Sequence, residues 1–372
     1  MACSAFDGQL VRYDFELQKL MEQFVRVRVV QGNALDLSLF QFDTDLTFAA
    51  FFLNADRTVY GRFGTRSEQK RADKDITLEG FREALAGALE LHRNYPANKS
   101  ALLGKQPLPV KFKTPEQYPG LAGKFTATLD FSTNKVARSC IHCHQVGEAQ
   151  RRLFRADSQS IPDDVLYPWP VPDVIGLSLD PKAKAKVASV AAGSAALNAG
   201  FKTGDELVSL EGQPLLSIAD VQWVLHHAKD PATLKAAVRR DGRPLELTLQ
   251  LGKSWRQKSD ISWRSTTWDL RRMALGGLVL KELDEAARSQ LALPDTALAL
   301  RVYHVGEYGD HAVAKKAGFK KQDIVVSCDD LTQRMSESDL LHHLLQKRMP
   351  GSRVPVTVLR GNEKLTLELP LQ

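Results

Sequence analysis

The segment NAGFKTGDELVSLEGQPL at 198–215 returns as KAGFKKQDIVVSCDDLTQ at 316–333, with Ala199-Gly200-Phe201-Lys202 answered by Ala317-Gly318-Phe319-Lys320 and Asp205 by Asp323. Self-similarity of this length requires both copies to adopt the same supersecondary unit, so the C-terminal half holds a duplicated fold. At 372 residues the chain is too long for one average domain and has room for others before the repeat.

Composition sets outer limits. Hydrophobic residues make up 43% and charged residues 25%, as in an ordinary globular protein, so each domain can bury a core. The net charge of +6 comes from 50 Lys and Arg scattered among 44 Asp and Glu. No basic run interleaved with aromatics appears, which argues against a nucleic-acid partner. No apolar stretch approaches the roughly 18 residues needed to cross a bilayer, and MACSAFDGQLVRYDF lacks the basic and apolar regions of a signal peptide.

Each copy of the repeat resembles a PDZ domain of the bacterial HtrA-type arrangement. In the first, VIGLSL, VASVAAGSAALNAGFKTGDELVSLEGQPL, the helix IADVQWVLHHA and TLKAAVRRDGRPLELTLQL follow the family order; in the second, LGGLVL and AGFKKQDIVVSCDD do, with Gln322 where the family has glycine. Such domains add an extended peptide as a strand, its terminal carboxylate held by backbone amides. The resemblance therefore implies protein or peptide partners and candidate loops at Val174-Ile175-Gly176-Leu177 and Leu275-Gly276-Gly277-Leu278, or docking within the chain itself. No G-x-S-x-G or Gly-Asn-Ser-Gly-Gly segment exists, so the serine protease that often accompanies these domains is not expected. The pairs His226-His227 and His342-His343 fall on equivalent helices and read as exposed. Cys328 reads as a core thiol.

Residues 9–95 have an α/β pattern: a helix in LVRYDFELQKLMEQ, a strand in FVRVRVV, two strands in LTFAAFFLNADRTVYGRFG joined at Asn54-Ala55-Asp56-Arg57, and a helix in TLEGFREALAGALELHRNY. In that last helix Leu78, Phe81, Leu85 and Leu89 share a face and Thr77 is the N-cap. The order resembles a thioredoxin core whose first strand is missing, the chain opening at MACSAFDG where the active-site turn would be. Cys3 then occupies the catalytic position with Phe6 in place of a second cysteine, so Cys3 is a candidate lone nucleophile in a thiol oxidoreductase or peroxidase-like enzyme. The domain boundaries expected are 1–95 (thioredoxin-like), 96–170 (loop-rich), 171–253 (first PDZ), 254–272 (a linker with packing anchors Trp255, Trp263 and Trp268) and 273–372 (second PDZ). The stretch IPDDVLYPWPVPD reads as a further linker because its prolines remove backbone donors.

Within the loop-rich segment lies SCIHCHQVGE. A C-x-x-C-H run is the attachment signature of c-type haem: Cys140 and Cys143 would form the thioethers and His144 would ligate iron. A redox dithiol is the main alternative, and zinc is disfavoured because the other cysteines, Cys3 and Cys328, lie in other domains. The five methionines are Met1, Met21, Met273, Met335 and Met349, so no methionine ligand follows closely, which leaves His92 and His142 as weak candidates for the opposite face.

Together MACSAFDG, DLTFAAFFLNADRTVYGRFGTRS, SCIHCH and the PDZ segments resemble a bacterial family joining a thioredoxin-like domain to PDZ domains, whose members include selenoproteins. That resemblance implies a periplasmic or cell-envelope setting and a selenocysteine at the Cys3 position in relatives. The functional expectations are a haem-bearing redox scaffold with PDZ-mediated binding, a thiol-dependent enzyme, or a non-redox PDZ adaptor.

Overall fold

The computed structural model describes residues 14–46, 48–68, 75–132 and 136–372, so Cys3 and the rest of MACSAFDG lie outside the described residues. The chain forms two compact units: one runs up to Val146 and resumes over Tyr167–Ser259, the other combines Gly147–Leu166 with Asp260–Gln372.

In the first unit, helix α1 (Phe15–Met21) starts where Asp14 Oδ1 accepts the Leu17 amide at 3.0 Å. Strands β1 (Ala50–Leu53) and β2 (Val59–Phe63) pair antiparallel. Asp56 folds the turn between them by accepting from the Thr58 amide and the Asn54 side chain, both at 3.0 Å. Helix α2 (Leu78–Arg93) begins at Thr77, whose hydroxyl oxygen accepts the Gly80 amide at 3.0 Å. Phe81, Leu85 and Leu89 are buried on its inner face, and the first two pack with Leu17, Phe52 and Phe63.

FVRVRVV corrects an expectation. Residues 25–30 form no regular secondary structure and pair with no strand among the described residues, and Val25, Val27, Val29 and Val30 are between 56% and 96% exposed. Alternation predicts a strand only where a neighbour takes its backbone groups; here the sheet of this segment is β1 and β2 alone. A helix, a strand pair and a closing helix occur here in that order, with a two-stranded sheet among the described residues.

Helix α3 (Cys143–Ala156) follows. The proline-rich stretch read as a linker does hold the break between units, yet Ile161, Leu166, Tyr167 and Trp169 are all buried.

The first repeat comprises β3 (Leu177–Leu179) paired with β4 (Val187–Val190), and a sheet β6-β5-β7-β8 made of β5 (Glu206–Leu210), β6 (Gln213–Pro214), β7 (Ala232–Arg240) and β8 (Arg243–Leu251). Helix α4 (Ile218–His227) precedes β7. Trp255 is buried beyond β8, its indole donating to Lys229 O at 3.0 Å.

The second repeat lies in the other unit and is entered through helix α5 (Thr267–Leu275), which begins inside the expected 254–272 linker, where the break after Ser259 also falls; Trp268 on that helix is 43% exposed, its ring edge-on to that of His304 at 5.8 Å. Its strands β9 (Leu278–Glu282), β10 (Leu300–Val305), β11 (Ile324–Cys328), β12 (Arg353–Arg360) and β13 (Glu363–Pro370) form one antiparallel sheet in the order β13-β12-β11-β10-β9. Helix α6 (Glu337–Lys347) precedes β12.

One device is copied in both repeats. Buried Asp205 accepts Arg240 Nε at 2.7 Å and the Lys202 amide at 2.8 Å, while Arg240 Nη2 reaches Gly200 O at 2.7 Å. Buried Asp323 accepts Arg360 Nε and the Lys320 amide, each at 2.8 Å, while Arg360 Nη2 reaches Gly318 O at 2.8 Å. Gln322 stands at φ 75°, the left-handed conformation that Gly204 supplies at φ 92° in the first repeat. The repeat thus keeps its turn without the glycine, at a backbone cost that glycine avoids.

A buried charge cluster joins the N-terminal elements to the first repeat. Asp220 on α4 is 1% exposed and accepts Lys105 Nζ at 3.0 Å, the Arg62 amide at 3.1 Å and the Leu216 amide at 2.9 Å. Lys105 also donates to Tyr60 O, and Arg62 donates to Lys105 O at 2.9 Å while lying 3.6 Å over the Trp223 ring. Burial lowers the pKa of Lys105 and pushes Arg62 down to about 10. Removing one side of a buried pair strands the other: Asp220→Ala should lower unfolding free energy by about 3–5 kcal/mol, and Lys105→Met with Asp220→Leu should recover much of that loss. Urea unfolding of the three chains checks this.

Candidate functional site

The cysteine segment is positioned by one side chain. Asn33 Nδ2 donates to Thr126 O at 2.7 Å and Ser139 O at 2.9 Å, and its Oδ1 accepts the amide of buried Ile141 at 2.8 Å. Gly32 packs so closely here that a Cβ would lie 2.5 Å from Ile141 O. Helix α3 then starts at Cys143, and Gln145 Oε1 accepts the His142 amide at 2.9 Å in its first turn. Cys140 and Cys143 are half-buried thiols with no disulfide between them. His144 is half-buried beside them, and its ring lies parallel to that of His142 with centroids 5.9 Å apart.

Of the two histidines weighed for the opposite face of an iron, His142 is exposed and stacks on His144. His92 is distant in role as well as in sequence: its Nδ1 shares a hydrogen bond with Tyr60 Oη at 2.8 Å. Cys328 is of another kind, 1% exposed and pushed up to about 12 by burial, with Asp329 adding to the shift.

The histidine pairs are not equivalent. Both helices open on a capping serine followed three residues later by aspartate, Ser217…Asp220 and Ser336…Asp339. Aligned on those caps, His342-His343 match Trp223-Val224, while His226-His227 match Leu345-Gln346. Nor are the pairs simply exposed: His226 stacks on Trp169 at 4.7 Å, His342 Nε2 meets Asp163 Oδ1 at 3.1 Å, and His343 Nε2 meets Asp329 Oδ2 at 2.7 Å.

The cap alignment also brings out what the loop motifs alone did not. Val174-Ile175-Gly176-Leu177 leads into β3, with Ile175 and Leu177 buried and Gly176 at φ 88°, where a Cβ would lie 2.1 Å from the Ser194 Cβ. Leu275-Gly276-Gly277-Leu278 leads into β9, with both leucines buried and the glycines at φ 58° and 89°; a Cβ on Gly277 would lie 2.0 Å from His311 O. Strands β3 and β9 are both sheet edges; in the second repeat the long helix α6 contacts β9, and in the first α4 contacts the turn Pro172–Ile175 that leads into β3. At the first helical position the repeats differ: Ile218 in one, Glu337 in the other.

Glu337 is 4% exposed. Its Oε1 accepts the Leu280 amide of β9 at 2.7 Å and Arg271 Nε at 3.0 Å, and its Oε2 accepts Arg271 Nη2 at 2.5 Å. Burial raises the Glu337 pKa, opposed by Arg271. Ile218 has no acceptor to offer β3. Seven residues before the first strand leucine, where the second repeat has Arg271, the first has Pro170.

Residues 173–251 and 302–371 match the PDZ domain family model. The chain carries two PDZ domains. In the second, β9 and its loop precede the matched residues. Among curated proteins, the chain is 25% identical over 190 residues to the periplasmic pH-dependent serine endoprotease DegQ of Escherichia coli (strain K12), covering 51% of this chain and 37% of that protein. It is 35% identical over 74 residues to a probable periplasmic serine endoprotease DegP-like of Pseudomonas savastanoi pv. phaseolicola (strain 1448A / Race 6), covering 20% of this chain and 15% of that protein. Among solved structures, the HtrA-type protease AlgWS227A with decapeptide matches at 14% identity and a TM-score of 0.24, covering 37% of this chain and 48% of that one. No helix among the described residues is long and apolar enough to cross a membrane.

Burial and its raised pKa set Cys328 apart from the two half-buried thiols. Brief iodoacetamide treatment of the native chain, read by peptide mass spectrometry, should label Cys140 and Cys143 and spare Cys328 until the protein is unfolded.

Proposed function

We propose that the protein is a PDZ adaptor that binds an extended peptide through its first PDZ domain, in the periplasmic setting its curated relatives share. The observation that supports this reading is the edge of β3, preceded by the Gly176 turn that α4 packs against, with Ile218 rather than a hydrogen-bonding side chain at the first helical position. An incoming strand would pair its backbone with β3 and place apolar side chains against Ile218, the terminal carboxylate meeting amides near Gly176. Val174, Ile175 and Leu177 shape that turn, two of them from within the core. Leu275, Gly276, Gly277 and Leu278 take the same part in the second domain.

The test is fluorescence anisotropy with labelled octapeptides ending in an apolar residue and a free carboxylate. Binding by the wild type, weakened about tenfold or more in Ile218→Glu as a buried polar group worth roughly 1–3 kcal/mol is introduced, supports the reading. No binding of such peptides, or equal binding by both chains, rejects it.

A second reading is favoured by the Asn33-clamped turn and its two half-buried thiols: covalent c-type haem on Cys140 and Cys143 with His144 as iron ligand, on the adaptor. Haem would supply one-electron storage; the chain's own part is to hold two thiols and an imidazole at the start of α3. Expression with a haem-maturation system should yield a Soret band that survives denaturing electrophoresis and vanishes in Cys140→Ala/Cys143→Ala. A colourless product with a reversible Cys140–Cys143 disulfide points instead to a thiol oxidoreductase, in which Cys3 of a thioredoxin-like segment would be the partner thiol.

A further inference from the structure

The second PDZ domain contains a side-chain arrangement with no counterpart in the first. Strand β9 ends the sheet β13-β12-β11-β10-β9, so its outer edge is where an added strand would pair. The Leu280 amide on that strand is already taken by Glu337 at 2.7 Å. Glu337 is in turn gripped by both ends of the Arg271 guanidinium, at 3.0 and 2.5 Å, and Arg271 is held from behind by Ser262 O at 2.8 Å.

The helix that carries Arg271 is itself fixed. Asp269 on α5 accepts a bidentate pair from Arg152, two contacts of 2.8 Å, and Arg272 Nε at 2.9 Å. The Gly277 amide, at the loop expected to receive a carboxylate, donates to Arg271 O at 3.0 Å and closes the end of α5. Leu341 and Leu345 of α6 are fully buried, and α5 packs against both α6 and β9. The residues that would greet a peptide are therefore engaged by the preceding helix.

We propose that the second PDZ groove is a cation-requiring site, occupied at rest by Arg271 of α5, which opens to an extended peptide that brings its own arginine to Glu337. The physical ground is the cost of an uncompensated buried carboxylate: a ligand that displaced Arg271 without supplying a cation would leave Glu337 buried and unpaired. An apolar peptide suited to Ile218 is thus the wrong ligand for Glu337, and the two domains divide their partners by charge. This inference rests on the peptide-binding reading for its ligand, but not for the clasp.

Two measurements on the full chain separate these parts. In Arg271→Met/Glu337→Leu, which replaces the ion pair by an apolar one and so keeps the fold, hydrogen exchange at the Leu280 amide should quicken about tenfold or more. Unchanged exchange there overturns the clasp, whatever peptides do. For the ligand, octapeptides of alternating valine and threonine with one arginine scanned through the last four positions are compared with glutamine in its place. The wild type should prefer the best arginine peptide about tenfold, and the double variant should lose that preference. Equal affinity for the two sets, binding of neither, or a preference that persists in the double variant overturns the cation requirement, while loss of binding in Ile218→Glu tests the first domain separately.

Discussion

The first unit depends on the carboxylate of Asp220. It accepts a buried ammonium, the Arg62 amide on β2 and the Leu216 amide ahead of its own helix, so three parts of the chain converge on one side chain. Gly61 shows how close the approach is, since a Cβ there would lie 2.6 Å from Leu216 and 2.8 Å from the Asp220 carboxylate. Trp223, one turn along α4, continues the contact by donating to Gly104 O at 2.8 Å beneath the Arg62 guanidinium. The first PDZ domain has thus become part of a larger body, and its helix has one face for its own core and another for the N-terminal elements. A buried ion pair of this kind is a poor source of net stability and a strong determinant of which surfaces fit together.

Much of the architecture was legible because it rests on local rules. Thr77 caps its helix as its chemistry requires, the Asn54–Arg57 turn joins two strands, and the repeated Ala-Gly-Phe-Lys segment marks both PDZ domains. FVRVRVV misled because period-two alternation describes a face and says nothing of a neighbour. The proline-rich and tryptophan-rich stretches each hold a break between the two units; what composition did not show is that Trp169 enters a core there, as Trp255 was expected to do. Arg240 and Arg360 lie far in sequence from the aspartates they hold, and only the fold brings them together.

The site was legible to a lesser degree. Glycine loops and a C-x-x-C-H run stand out in one dimension, and the structure places each at a turn where a side chain would be crowded or a helix begins. Glu337 did not stand out, because a glutamate at the start of a helix is ordinary dipole chemistry. Its meaning comes from the amide of Leu280 and from an arginine sixty-six positions earlier in the chain. The capping serines provide the alignment that would have found it, since they set Glu337 against Ile218 where the histidine pairs suggested another register.

The unpaired Val25–Val30 run has a consequence for how such a molecule is kept apart from its neighbours. Four valines facing water in one short run offer apolar surface that a passing strand can meet. Arg26 and Arg28 interrupt it at alternate positions, and a second copy laid antiparallel would set like charges opposite one another. Arginines at such positions discourage that pairing, by repulsion where other parts of a chain rely on burial.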